Sequence, residues 1–175
     1  MAAAADRRDN DDELAERACS LLKAAQRKGL TVIVAESCTA GALAALLARA
    51  PGAANQFQGG FVTYTKEQKV VGLGVSAALI HNGSAVCGEV AEAMGRGALE
   101  RSAAHVAVSV TGVTGPEPDE DGNPMGLVFI GGARRNGGAV SERHMFRSDD
   151  PGEVERLALA AALEMLETLI GGTDA

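Results

Sequence analysis

Apolar and polar positions recur along the chain with two different periods, which predict its helices and strands. Apolar residues at helical spacing predict a first helix from residue 11 to a stop at Gly29, and a last helix over 151–170. The same spacing predicts helices over 39–50 and 88–102, with two short helical pieces divided by Gly72 and Gly74. Short apolar or alternating runs predict strands over 31–35, 56–64, 105–110, 125–134 and 139–146.

The order of these elements predicts the fold class. Helices alternate with strands in the first half, and Asn136-Gly137-Gly138 between the last two strands is a strong hairpin signal. We therefore expect an α/β fold of three layers (α/β/α) around a mixed, mostly parallel sheet of about five strands with a late antiparallel hairpin. Residues 11–172 are expected to form a single domain, and residues 1–10 a disordered tail.

Composition narrows the function classes. A chain of 175 residues with a net charge of −7 suits one globular domain and argues against direct contact with nucleic acid. It has no long apolar run and no signal-peptide core, so we expect a cytoplasmic protein without membrane contact. Its three cysteines show neither CxxC nor Cys/His spacing, which favours reduced thiols over a disulfide framework or a metal site.

The most distinctive segment is Ala35-Glu36-Ser37-Cys38-Thr39-Ala40-Gly41, at the end of the first predicted strand. Hydroxyl and thiol groups meet there at the expected start of a helix, whose unpaired amides favour an anion or a developing oxyanion. Ser37 is therefore a candidate nucleophile. The alternative is that Ser37 or Thr39 only caps the helix, the commonest role of such residues.

A nucleophilic serine needs a base, and the lysines offer one more readily than the histidines. None of the three histidines has a partner nearby in the sequence, whereas half of the four lysines, Lys66 and Lys69, directly follow the second predicted strand. A partly buried lysine can lose its proton near neutral pH and act as a general base. The alternative is an exposed helix start where both lysines are solvated.

Three segments together resemble a known family. AESCTAG, GGFVTYTKEQK and SVTGVTGP are similar to the family that contains the C-terminal domain of the competence-associated protein CinA and the stand-alone nicotinamide-nucleotide amidohydrolases. The resemblance extends over nearly all of residues 11–170. It implies hydrolysis of the carboxamide of nicotinamide mononucleotide to nicotinate mononucleotide and ammonia, with a Ser–Lys pair and with no metal or cofactor. It also implies a pyridine nucleotide as ligand and a homo-oligomer.

The resemblance assigns roles residue by residue. Ser37 becomes the nucleophile of an acyl-enzyme, Lys69 its base, and Tyr64 a residue that orients the pair or relays a proton. Backbone amides around Cys38, Thr39 and Gly41 are expected to hold the oxyanion. The further substrate-binding residues that the motifs imply are Thr63, Thr111, Gly112 and Arg147.

The chain departs from the family pattern at the presumed phosphate end of the substrate. Family members usually read SGIAGP followed by KPVG, whereas this chain has four acids within 117–121 and Asn123 before its proline. The arginine of a GDR-type segment is absent, and Arg147 or Arg156 are candidate substitutes. These departures keep a second function open, namely a protein that binds a nucleotide or related small molecule without turnover.

Overall fold

The computed structural model describes residues 2–172 and the side chains of residues 11–172. Its helices are α1 Ala2–Arg27, α2 Ala42–Arg49, α3 Ala53–Gln56, α4 Lys66–Leu73, α5 Ala77–His81, α6 Gly88–Glu100 and α7 Pro151–Gly171. Its strands are β1 Val32–Glu36, β2 Phe57–Val62, β3 Val106–Gly112, β4 Leu127–Arg134 and β5 Ala139–Met145.

The five strands form one mixed sheet in the order β2-β1-β3-β4-β5. Strand β1 pairs in parallel with both β2 and β3, whereas β4 pairs antiparallel with β3 and with β5. Four strands therefore point the same way and β4 alone runs against them. This arrangement confirms the predicted α/β fold with its mixed, mostly parallel sheet and late hairpin.

Each face of the sheet is covered by helices, because successive strand side chains point to opposite faces. Valines of β1 and β3 pack with α1, α2 and α7 into the larger core, represented by Val34, Val108 and Leu166. Smaller side chains, such as Ala35 and Ala107, face α4, α5 and α6 on the other side. Small side chains on this second face let α6 lie close to the sheet, and the Ser109 hydroxyl donates to the Ala91 carbonyl at 2.5 Å.

Three boundaries differ from the sequence prediction. Helix α1 begins at Ala2, so residues 2–10 are helical instead of forming a disordered tail, in keeping with the high helix propensity of alanine. Helix α2 begins at Ala42 and not near Thr39, because the chain first makes a turn in which Ala40 and Gly41 both have positive φ. Helix α3 was not predicted, since four residues give no readable period.

Strand direction positions the site. The carboxyl ends of β1, β2 and β3 meet at one edge of the sheet, where Glu36 is paired with Val62 on one side and Val110 on the other. In α/β sheets, ligands bind at this edge. None of the helices within residues 2–172 is both long and apolar enough to span a membrane.

Candidate active site

The sequence-predicted nucleophile and base meet at this edge. Lys69 Nζ donates a hydrogen bond to Ser37 Oγ at 2.7 Å, although the two residues come from different elements. Ser37 directly follows β1, and its amide donates to the Val110 carbonyl at 2.9 Å, which ties it to β3. Lys69 lies in the first half of α4. The distance is within the range in which a base can take a proton from a nucleophile.

Lys69 is a buried lysine, with only 2% of its surface exposed. Its Nζ also donates to the Thr63 carbonyl at 3.1 Å and, at 3.5 Å, to that of Tyr64. Burial is the main cause that lowers the pKa of Lys69 from 10.5 to about 8, and the charge of Lys66 lowers it further while Cys38 opposes the shift. A neutral amine is therefore accessible near physiological pH, as a general base requires.

Glu36, which precedes Ser37, organises the turn that carries this candidate nucleophile. This carboxylate is fully buried. Its Oε2 accepts hydrogen bonds from the Thr39 hydroxyl at 2.6 Å and from the amides of Gly41 and Leu43 at 3.0 and 3.1 Å, while Oε1 accepts from the Ala44 amide at 2.8 Å. A carboxylate at the positive end of a helix dipole is electrostatically favoured. Glu36 thus ties the end of β1 to the start of α2.

This arrangement corrects two expectations about the turn. Neither Ser37 nor Thr39 caps α2, because the N-cap is Gly41 and it makes no side-chain cap bond. Gly41 and Thr39 do not line the cavity described below: the Gly41 amide and the Thr39 hydroxyl both serve Glu36. The Ala40 amide donates to the Ser37 carbonyl at 3.0 Å. Among the described hydrogen bonds, the amides of Cys38 and Thr39 donate to no other residue.

Tyr64 and Thr63 contribute to the site through their backbone. The Tyr64 side chain is 68% exposed and lines the cavity, whereas its carbonyl oxygen lies 3.5 Å from both Ser37 Oγ and Lys69 Nζ. Thr63 is buried outside the cavity lining, and its hydroxyl donates to the Glu36 carbonyl at 3.4 Å. The structure therefore shows carbonyl acceptors for Lys69 at both positions, where the sequence suggested side-chain roles.

The Ser37–Lys69 pair opens into a cavity of about 480 Å³, a size typical of small-molecule sites. Of the residues expected to bind substrate, Cys38, Thr111 and Gly112 line this cavity, together with Thr114 and Gly115 of the following loop. The Thr111 hydroxyl is used by the fold, since it donates to the Ala85 carbonyl at 2.8 Å. Burial raises the pKa of the Cys38 thiol to about 12, which leaves the thiol protonated and unreactive.

The acidic loop forms one wall of the cavity. Glu117, Asp119 and Glu120 line it. Lys66 ties this loop to α4, because its Nζ lies 2.7 Å from Asp121 and 2.9 Å from Glu120. The sequence interpretation in which Lys66 is simply solvated is therefore wrong. These two carboxylates raise the pKa of Lys66, and Lys66 in turn lowers the pKa of Asp121.

Arg147 lies elsewhere. It is exposed in the segment between β5 and α7 and does not line the cavity, so the structure does not bring it to the other predicted site residues.

Sequence reasoning missed Glu36, although an acid between a buried strand and a helix start is a recognisable signal. It also missed Thr114, whose hydroxyl donates to the Cys38 carbonyl at 3.1 Å and connects the two loops. Within the described part of the chain, no group of three or more His, Cys, Asp or Glu residues is placed to hold a metal ion.

Comparison with known proteins decides the family. The family model described as CinA C-terminal domain matches residues 12–170. The chain belongs to the CinA C-terminal domain family. Both Ser37 and Lys69, with the whole cavity wall around them, lie inside the matched region.

Relatives in this family differ in length. A protein of Pseudomonas putida named nicotinamide-nucleotide amidohydrolase PncC is 41% identical over 150 residues, covering 85% of this chain and 91% of that protein. A protein of Caldicellulosiruptor saccharolyticus is 43% identical over 145 residues, and a CinA-like protein of Chlorobium phaeobacteroides is 41% identical over 129 residues. The chain spans only 34% and 30% of these two longer relatives.

Solved structures of CinA family members share the fold. A CinA superfamily protein from Escherichia coli matches with a TM-score of 0.84 at 34% identity, covering 89% of this chain and 90% of that one. A competence/damage inducible protein from Agrobacterium tumefaciens matches with a TM-score of 0.85, also at 34% identity, over 91% of this chain and 96% of that one.

The buried Glu36 carboxylate predicts a specific loss on substitution. Glu36→Gln keeps the size of the side chain but replaces an acceptor oxygen with an NH₂ group that faces amide donors. We expect the free energy of unfolding to fall by about 2–3 kcal/mol, the cost of leaving buried donors without an acceptor. Urea denaturation measures this, with Glu16→Gln on the exposed face of α1 as the matched control. A loss no larger than that of the control would contradict the assigned role.

Lys69 predicts a pH dependence of stability. Its pKa is about 8 in the folded protein and 10.5 ordinarily, so between these values the unfolded chain binds the extra proton. Lys69 therefore lowers the free energy of unfolding below pH 8, and this destabilisation disappears as pH rises to 10.5. Relative to Lys69→Met, wild-type stability should rise across this window by on the order of 3 kcal/mol.

The matched control is Lys23→Met, which removes an exposed lysine from α1. Denaturant unfolding of the wild type and both variants at a series of pH values tests the effect, and groups other than Lys69 cancel in the difference. If Lys69→Met and Lys23→Met follow the same pH dependence, Lys69 does not carry a depressed pKa.

Proposed function

We propose that this protein hydrolyses the carboxamide of nicotinamide mononucleotide to nicotinate mononucleotide and ammonia, with Ser37 as nucleophile and Lys69 as general base. The 2.7 Å contact between Ser37 Oγ and the buried Lys69 Nζ, at the base of a cavity of about 480 Å³, carries the proposal. The Pseudomonas putida relative named for the amidohydrolase reaction supports it, because it matches over 91% of its own length.

The first step is acylation. Neutral Lys69 takes the Ser37 proton as Oγ attacks the carboxamide carbon, and the C=O electron pair moves onto oxygen to give a tetrahedral oxyanion. The amide of Cys38, which lines the cavity, is the available donor for that oxyanion, since the Gly41 amide serves Glu36. Lys69 then returns its proton to the leaving nitrogen, which departs as ammonia when the C–N bond breaks.

The second step is hydrolysis of the ester on Ser37. Lys69, neutral again, takes a proton from a water that attacks the ester carbon, and the proton passes to Ser37 Oγ as the ester C–O bond breaks. The products are the free serine and a pyridine carboxylic acid, which ionises to the carboxylate by releasing a proton to solvent. The carbonyls of Thr63 and Tyr64 hold Lys69 Nζ in place through both steps.

A second candidate function is binding without turnover. The position of Arg147 outside the cavity and the acidic wall favour it, because a weakly held substrate would not be positioned for attack. A thermal shift with nicotinamide mononucleotide in the absence of ammonia release would support this alternative.

Ser37→Ala and Lys69→Met predict loss of ammonia release from nicotinamide mononucleotide. Removing one member of a dyad that acts as a unit should lower kcat by about 10³-fold or more. Ser20→Ala and Lys23→Met remove an exposed serine and an exposed lysine from α1 and serve as matched controls. A coupled ammonia assay measures all four variants, with circular dichroism to verify folding.

Full activity in folded Ser37→Ala would exclude the acyl-enzyme mechanism. Activity in Lys69→Met equal to that of Lys23→Met would exclude Lys69 as the base. Absence of ammonia from the wild type would reject the proposed function in favour of binding alone.

A further inference from the structure

The charges around the cavity bear on which form of substrate it accepts. Four carboxylates line it, on Glu67, Glu117, Asp119 and Glu120, and Lys66 is the one cation apart from the proposed base among the described lining residues. No arginine belongs to the described lining. The charged side chains that line the cavity are thus mainly negative, and the proposed nucleophile lies at its base.

Lys66 is already paired with carboxylates of the protein. Its side chain is 26% exposed, and its Nζ lies 2.7 Å from Asp121 and 2.9 Å from Glu120. Further hydrogen bonds hold Asp121 beside Lys66. The Ser84 hydroxyl donates to Asp121 Oδ2 at 3.0 Å, and the Asn123 side-chain amide donates to Ser84 Oγ at 2.9 Å. A phosphate would have to compete with these carboxylates for Lys66.

The start of α2, the other common anion site next to the nucleophile, is also occupied. The amides of Gly41, Leu43 and Ala44 donate to the buried Glu36 carboxylate. A helix N-terminus attracts phosphate through such unpaired amides. Here the protein's own carboxylate has taken that place, so α2 offers no second anion site.

The two forms of a nicotinamide ribonucleoside differ strongly in charge. The ring nitrogen bonded to ribose is a pyridinium cation, so the nucleoside carries +1. Its phosphate monoester adds between about −1.5 and −2 at neutral pH, which makes the nucleotide a net anion. Repulsion between this phosphate and carboxylates in a partly enclosed site is screened less than at an open surface.

We infer that this active site prefers pyridinium carboxamides without a phosphate, with nicotinamide riboside a better substrate than nicotinamide mononucleotide. The inference rests on the proposed amidohydrolase function and concerns the end of the substrate away from the carboxamide. Glu117 is the specificity residue that can be tested most cleanly, since it lines the cavity and the described contacts give it no hydrogen-bond or ion-pair partner.

The charge of the substrate also acts on the base. A cationic ring bound beside Lys69 disfavours its ammonium form, as Lys66 already does. Binding of the nucleoside therefore increases the neutral fraction of Lys69, whereas a phosphate dianion has the opposite effect. The same charge preference should appear in turnover as well as in binding.

Binding to Ser37→Ala tests the inference without relying on turnover. Isothermal titration with nicotinamide riboside and with nicotinamide mononucleotide should give a Kd at least about tenfold lower for the riboside at low salt. High salt should narrow the difference, because it screens the repulsion. Equal affinities, tighter binding of the nucleotide, or binding of neither ligand would overturn the inference.

The substitution Glu117→Gln tests whether the acidic wall causes the preference for the riboside. It is made in the wild-type and Ser37→Ala backgrounds. It should improve nucleotide binding and nucleotide kcat/KM relative to the riboside by about threefold or more. Glu16→Gln removes an equal charge from α1, which contributes nothing to the cavity lining, and should leave the ratio unchanged. If Glu117→Gln leaves the ratio between nucleotide and riboside unchanged, the acidic wall does not set the substrate preference.

Ammonia release separates the two proposals. If the wild type releases ammonia but prefers the nucleotide, the inference fails and the amidohydrolase function stands. If Ser37→Ala binds the riboside more tightly but the wild type releases no ammonia from either compound, the function fails and the charge preference stands.

Discussion

The contact between Lys69 Nζ and Ser37 Oγ places a lysine where water is largely excluded, and much of the surrounding structure makes that burial tolerable. An unpaired ammonium in such a position is costly, and the protein reduces the cost by supplying acceptors and by easing loss of the proton. The acceptors are the carbonyls of Thr63 and Tyr64 and the serine oxygen itself. The same desolvation that opposes folding thus favours the neutral amine that a general base requires.

A second buried charge, on Glu36, explains how Ser37, the proposed nucleophile, is presented. The carboxylate collects the first amides of α2 and the Thr39 hydroxyl, so the turn between them adopts positive φ at Ala40 and Gly41. Ser37 and Cys38 are left at the cavity, where Ser37 Oγ meets Lys69 Nζ. The buried negative group, Glu36 at the end of β1, and the buried lysine, Lys69 in α4, therefore have separate tasks around Ser37.

The fold was predictable for physical reasons, whereas the proposed catalytic pair was not. Strongly apolar, β-branched runs such as 31–35 can only be buried strands, and the Asn-Gly hairpin is a local signal. Ser37 and Lys69 were assigned through motif resemblance, since their proximity requires β1 and α4 to meet in space. Spacing alone also left helix capping open for Ser37.

The sequence could not predict contacts made by backbone atoms, or contacts between residues that lie far apart in the chain. The role of Tyr64 visible in the structure lies in its carbonyl oxygen, which every residue has. Gly41 and Thr39 were expected to serve the substrate, but the carboxylate of Glu36 uses both. The pairing of Lys66 with Glu120 and Asp121 joins positions more than fifty residues apart, and no local pattern encodes such a contact.

The central claim is that neutral Lys69 activates Ser37, and the pH dependence of kcat/KM for ammonia release tests it most directly. This parameter reports the ionisation of the free enzyme. We predict that kcat/KM rises with pH to a plateau with a midpoint near 8, the pKa of Lys69. A profile that is flat between pH 6 and 10, or that rises with a midpoint near the ordinary histidine value of about 6.5, would contradict it.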